Sequence, residues 1–138
     1  MTQELSLLIV DDEKTVLDSF YILIGNKCVL YYAATLKEGY EIAKTVDVSL
    51  LFVDVNLPDG NGFDLLEWMS TRQKKAPIVI MTADPHPITR EKAFRYGAFN
   101  YISKPFSIDT IYSILQKIDP LFQVFDAINP NRLEQASE

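Results

Sequence analysis

The chain has 138 residues, 48% of them apolar and 23% charged, which is the balance of one ordinary globular domain with a real core and excludes disorder as a description of the whole. Thirteen basic against 19 acidic residues give a net charge of -6, a sign that repels a phosphate backbone and speaks against direct nucleic-acid binding. The single cysteine, Cys28, excludes an internal disulfide and fits a reducing compartment, and the single histidine, His86, excludes a His-rich zinc site.

Leu7–Val10 is the first of five short apolar runs and stops abruptly at Asp11-Asp12-Glu13. A helical pattern follows, with Val16, Leu17, Phe20, Leu23 and Ile24 on one face. Val29–Ala33 is the second run, and Thr35-Leu36-Lys37-Glu38 then has the form of a capping box, opening a helix with Tyr40, Ile42 and Ala43 inward. Ser49–Val53 is the third run and ends on Asp54; beyond Gly60 and Gly62, a third helix is marked by Phe63, Leu66 and Met69. Pro77–Met81 ends at Thr82, before a fourth helix expected from Thr89 to Tyr96 and stopped by Gly97. Tyr101–Ser103 precedes Lys104-Pro105, and Ser107 caps a fifth helix in which Ile108, Ile111, Tyr112, Leu115 and Ile118 recur at helical spacing. Runs this short and this apolar belong to strands buried on both faces. Five of them alternating with five helices predict a doubly wound five-stranded parallel sheet, with its ligand site at the carboxyl ends of the strands.

The chemistry follows the strands. Asp11 and Asp12 follow the first, Asp54 the third, Thr82 the fourth and Lys104 the fifth. Any one of these is explained as a turn former, a cap or a surface lysine. Together, on one edge of one sheet, they bring three carboxylates, a hydroxyl and an ammonium into one pocket. Clustered carboxylates call for a cation, and hard oxygen donors suit Mg²⁺.

Four motifs in order then carry a family resemblance: Val10-Asp11-Asp12-Glu13, Asp54-Val55-Asn56-Leu57-Pro58-Asp59-Gly60-Asn61-Gly62, Ile80-Met81-Thr82-Ala83, and Gly97 through Phe106. From Ser6 to Ile118 the sequence resembles the CheY-like receiver domain of bacterial two-component response regulators. The resemblance implies a (βα)5 flavodoxin-like fold and acceptance on Asp54 of a phosphoryl group from the phosphohistidine of a sensor histidine kinase or phosphotransfer protein. It implies Mg²⁺ held by Asp12 and Asp54 and by the Asn56 backbone carbonyl, with Asp11 acting through water or orientation. The resemblance further implies that Lys104 and Thr82 contact the phosphoryl group, that Thr82 and Tyr101 form the switch, and that Asn56 and Asp84 tune the lifetime of the phosphorylated state. Such a domain is no enzyme beyond its own phosphotransfer and dephosphorylation. A cytoplasmic location is the expectation, since Met1-Thr2-Gln3-Glu4 lacks the form of a signal peptide and no run approaches the roughly 20 residues that cross a bilayer.

Rival readings lack their residues. A haloacid-dehalogenase-type phosphatase wants a second Asp where Asn56 stands, and a flavodoxin-like protein wants a phosphate loop where Asp11-Asp12 stand. A degenerate, non-phosphorylated receiver serving as a binding module would have lost one of the acids or the lysine. The receiver is assigned to residues 1–118, and 119–138 to a C-terminal linker or extra helix. In that segment Asp119 caps, Pro120 takes the first helical position, and Leu121, Phe122, Val124, Phe125 and Ile128 share a face. The polar end suggests a receiver cut from a larger regulator, with its own output domain as partner. Activation is expected to act through the fourth helix, fifth strand and fifth helix and to permit a homodimer. Phe99-Asn100, and Thr110 and Ile114 on the fifth helix, depart from the charged dimer contact of the OmpR-like subfamily, so an apolar contact is expected there.

Overall fold

In the computed structural model, which describes residues 4–120, each apolar run is a strand. The chain forms β1 (Leu5–Val10), α1 (Lys14–Ile24), β2 (Cys28–Ala33), α2 (Leu36–Thr45) and β3 (Leu50–Asp54). A hairpin of two-residue strands, β4 (Asn56–Leu57) and β5 (Gly60–Asn61), leads into α3 (Phe63–Ser70). Then come β6 (Ile78–Thr82), α4 (Pro87–Arg95), β7 (Asn100–Ser103) and α5 (Ile108–Ile118). Five strands form one all-parallel sheet in the order β2-β1-β3-β6-β7. The chain steps one way from β1 and the other way from β2 onward, so the switch in strand order lies between β1 and β3, and a crevice opens at their carboxyl ends.

Strand side chains alternate between faces. Leu8, Val10, Leu51, Val53, Ile78 and Ile80 join Leu36 of α2, Phe63 and Leu66 of α3 and Ala93 of α4 in one cluster. Phe52, between Leu51 and Val53, points the other way and meets Phe20 of α1 with ring centroids 4.9 Å apart. β3 is buried along its whole length, as a central strand with both faces covered must be.

By its contacts the chain separates into two compact units. Residues 3–105 hold the sheet, the hairpin and α1 to α4; the described part of the other runs from Phe106 to Pro120. In the latter, Ser107 Oγ accepts from Thr110 N at 3.2 Å and caps α5. Ile111, Ile114 and Leu115 are buried, so Ile114 is not the exposed contact residue expected of it. The helix expected after Asp119 lies, from Leu121 on, outside the described residues.

Helix ends mostly follow the sequence signals. Thr35 Oγ1 accepts from Glu38 N at 3.1 Å, while Glu38 Oε2 reaches back to Ala34 N at 3.0 Å, one residue beyond the usual capping box. Gly97 takes φ 95° after α4, the left-handed conformation that a residue with a Cβ avoids. α4 begins earlier than Thr89, because His86 Nδ1 accepts from Ile88 N at 3.2 Å and Pro87 supplies a first helical residue with no N–H to satisfy.

Candidate functional site

Every strand-end residue of interest arrives on the same edge of the sheet. Asp11 follows β1 directly, its N donates to Ala33 O at 2.9 Å, and its carboxylate is fully buried. Its Oδ1 accepts from Glu13 N at 2.9 Å. Its Oδ2 forms an ion pair with Lys104 Nζ at 2.6 Å. Asp54 ends β3 and is 5% exposed; its Oδ1 accepts from Asn56 N at 3.1 Å and its Oδ2 from Lys104 Nζ at 2.8 Å. The Lys104 side chain is 8% exposed and also comes within 3.4 Å of Glu13 Oε1. The Lys104–Pro105 peptide is cis, as the motif implies.

Electrostatics follow from this crowding. Burial raises Asp11 above the usual carboxylate range, the ion pair with Lys104 and the Glu13 N–H oppose the rise, and the Asp54 charge adds to it. For Lys104 burial works to lower the pKa, but the bonds to Asp11 and Asp54 outweigh it and hold the ammonium well above its ordinary value. The lysine stays charged.

Asp11, Asp12 and Asp54 each offer a carboxylate oxygen, all within 4.8 Å of one another. Asp11 and Asp54 are buried and Asp12 is exposed, so one wall of the cluster opens to solvent. An all-oxygen donor set of this charge, with one lysine against three aspartates and Glu13, fits a hard divalent cation that keeps several waters.

Thr82 ends β6 and is 3% exposed. Its Oγ1 accepts from Asp84 N at 3.0 Å and donates to Asp84 O at 3.2 Å, so the hydroxyl is tied to its own loop. Lys104 N donates to Thr82 O at 2.8 Å, which joins the two strand ends. Tyr101 stands half-buried on β7, with a buried hydroxyl that has no hydrogen-bond partner among the described residues. Burial and then the Asp84 carboxylate raise its pKa, with the Arg90 charge opposing. Asn56 and Asp84 are exposed, near the strand ends. Thus the structure gathers Asp11, Asp12, Asp54 and Lys104 in direct contact or close approach, and sets Thr82, Asp84 and Tyr101 as a second group beside Lys104.

Two contributors escaped the sequence reading. Glu13 was legible only as part of the acidic motif, yet it is a partner of Lys104 from 91 residues away. Asp59 was legible only as part of the second motif, yet its carboxylate accepts from Leu36 N and Lys37 N of α2.

An open parallel sheet with convergent carboxylates and a buried lysine at its switch point defines a doubly wound α/β protein with an acidic site that could hold a cation. The chain belongs to the response regulator receiver domain family, whose sequence model matches residues 7–116. Phosphorylation on an aspartate is general to that family. Among curated relatives, the chain is 26% identical over 113 residues to the cell cycle transcriptional regulator CtrA of Caulobacter vibrioides, covering 81% of this chain and 49% of CtrA. It is 30% identical over 109 residues to the response regulator protein PilR of Pseudomonas aeruginosa, covering 78% of this chain and 24% of PilR. The chain therefore spans half or less of the length of these relatives. Among solved structures, a CheY-like receiver domain protein from Methanospirillum hungatei JF-1 superposes with a TM-score of 0.78 at 28% identity, covering 86% of this chain and 96% of that one. The non-phosphorylated HemR receiver domain from Leptospira biflexa gives a TM-score of 0.74 at 28% identity, over 83% of this chain and 94% of its own.

Proposed function

We propose that Asp54 is the phosphoacceptor and that Lys104 and Thr82 complete the phosphotransfer site. The observation that carries this reading is the 2.8 Å bond from Lys104 Nζ to Asp54 Oδ2 beside the Asp11–Asp12–Asp54 cluster. A carboxylate is ionised at neutral pH and needs no general base. As an Asp54 oxygen forms its bond to phosphorus, the P–N bond of a donor phosphohistidine breaks and its electron pair stays on the imidazole nitrogen. Charge on the equatorial oxygens then needs donors already in place, and Lys104, held by ion pairs on a strand end, is one that pays no reorganisation. Asp12, Asp54 and the Asn56 backbone carbonyl would hold Mg²⁺, with Asp11 orienting. The ion supplies positive charge against the phosphoryl oxygens when bound.

Thr82 is the switch donor: to reach a phosphoryl oxygen its hydroxyl gives up the two bonds to the Asp84 backbone, and Tyr101, whose hydroxyl is already inward, responds to that movement. Asp84 and Asn56 are exposed where a hydrolytic water arrives, and so tune the lifetime. The donor partner is a sensor histidine kinase or phosphotransfer protein, and the response passes to an output domain of the same protein or to a second copy. Ile88 at 70% exposure, with Phe94, Tyr96 and Phe99, gives α4 and the approach to β7 an apolar surface for such a contact. We assign residues 1–118 to the receiver and 119–138 to a C-terminal linker or extra helix, and the receiver's only catalysis is its own phosphorylation and dephosphorylation. We place it in the cytoplasm, where phosphorylated kinases are met; among the described residues no helix is long and apolar enough to cross a membrane.

Intact-mass measurement after incubation with acetyl phosphate tests this. One phosphoryl adduct is expected with Mg²⁺ and none with a chelator. A wild-type protein that stays unlabelled with Mg²⁺ would favour a receiver that works by binding alone.

A further inference from the structure

We propose that Asp59 is a positioning residue for the acidic site, clasping the loop that carries Asn56 to the first turn of α2. The inference rests on the reading of the site given above and concerns a side chain outside it. Asp59 lies at the turn of the β4–β5 hairpin, where its Oδ1 accepts from Leu36 N at 2.7 Å and its Oδ2 from Lys37 N at 3.0 Å. Both partners are more than 20 residues earlier in the chain, so this is a tertiary clasp and not a local turn. A carboxylate on the first N–H groups of a helix is favoured both by the hydrogen bonds and by the helix dipole. Yet α2 already has its own cap, since Thr35 Oγ1 accepts from Glu38 N and Glu38 Oε2 from Ala34 N.

The hairpin depends on the clasp more than the helix does. Its strands pair only Asn56 with Asn61 and Leu57 with Gly60, too little to hold its own shape in water. Its base is fixed at Gly62, whose N donates to Val55 O at 2.8 Å and whose lack of a Cβ admits Asp54 O at a distance no side chain tolerates. Its tip is fixed by Asp59, and next to it a Cβ on Gly60 would stand 2.9 Å from Leu36 Cδ2. One turn along α2, Gly39 lies against Val10, the residue before Asp11. The start of α2 therefore touches both halves of the site: the strand end bearing Asp11 and Asp12, and the hairpin bearing Asn56. Asn56 N donates to Asp54 Oδ1 at 3.1 Å, so the clasp on the hairpin holds Asn56 in place beside the Asp54 carboxylate.

The test compares Asp59→Ala with Thr35→Ala, because each removes one cap from α2 and lowers the melting temperature by a few degrees. Mg²⁺ alone is titrated calorimetrically into the full chain of each variant and of the wild type. Asp59→Ala should bind Mg²⁺ about 10-fold more weakly, Thr35→Ala should match the wild type, and Asp59→Asn, whose amide oxygen still accepts one bond, should fall between them. In metal-free buffer, amide exchange at Gly62 should quicken in Asp59→Ala and not in Thr35→Ala. Acetyl phosphate labelling of Asp59→Ala should slow at limiting Mg²⁺ and recover at saturation. Wild-type Mg²⁺ affinity in Asp59→Ala, or an equal loss in Thr35→Ala, overturns the clasp while leaving the site reading intact. A wild type that binds no Mg²⁺ overturns both.

Discussion

Both ends of the parallel sheet carry lysine–aspartate pairs, and the two pairs are not alike. At the carboxyl ends, Lys104 reaches Asp11 at 2.6 Å and Asp54 at 2.8 Å, all three side chains being at most 8% exposed. At the amino ends, the residues before β3 and β6 help to line a cleft of about 410 Å³ with Lys44, Asp47, Arg72, Lys74 and Lys75. There Lys74 meets Asp47 at 2.5 Å, but the side chains are 77% and 71% exposed. The shorter contact is the less consequential one. Water and salt screen the exposed pair, and holding two long side chains together costs entropy. In the buried group none of the three charges has water to fall back on, so each depends on its partners and the whole arrangement responds strongly to a change of charge.

Removing each lysine should break this comparison open. In chelator, Lys104→Met should cost about 3–5 kcal/mol, measured by urea denaturation, because it strands two buried carboxylates. Mg²⁺ should return part of that loss by binding only the folded state. The matching Lys74→Met should stay within about 1 kcal/mol and leave phosphorylation unchanged. Similar losses in both would mean that burial does not distinguish the two ends.

A smaller effect of opposite sign is expected at Asp11. Burial raises its folded-state pKa, so the folded protein binds this proton more tightly than the unfolded chain does. Stability from this group is then present at low pH and is lost as pH rises from below 4 through the raised value. Asp11→Asn should accordingly melt above the wild type at pH 7 in chelator, with the gap closing as the pH falls toward 4. An Asn variant less stable at pH 7 would show that Lys104 more than repays the burial of Asp11. Smaller again, Thr82→Ala should cost about 1 kcal/mol through the lost Asp84 bonds. It should also stop Tyr101 from responding to beryllofluoride, read from side-chain NMR shifts; a wild-type Tyr101 response in Thr82→Ala would separate the two residues.

How much of this was legible follows from where each signal lies. Apolar runs stopping at Asp11, Asp54, Thr82 and Lys104 announce both the strands and the site, because a parallel sheet must bury its strands and must place its polar groups where they end. The hairpin was not legible: Asn56-Leu57 and Gly60-Asn61 are too short for periodicity, and the bond that secures them is made to α2. The reach of Glu13 to Lys104 is likewise a product of the fold. Pro87 was a readable helix start that the apolar spacing of α4 obscured, since Ala93 alone is buried on that helix. The buried hydroxyl of Tyr101 is a side-chain orientation, which no spacing encodes.

The central claim is that the buried group at the carboxyl ends exists to make Asp54 a phosphoacceptor. The most direct measurement is to phosphorylate the protein with acetyl phosphate and Mg²⁺, reduce the acyl phosphate with borohydride, and locate the resulting homoserine by peptide sequencing. The account predicts homoserine at position 54 alone, absent from Asp54→Ala although that variant folds. Homoserine at position 11 or 12, or labelling that persists in Asp54→Ala at the same stoichiometry, would contradict it.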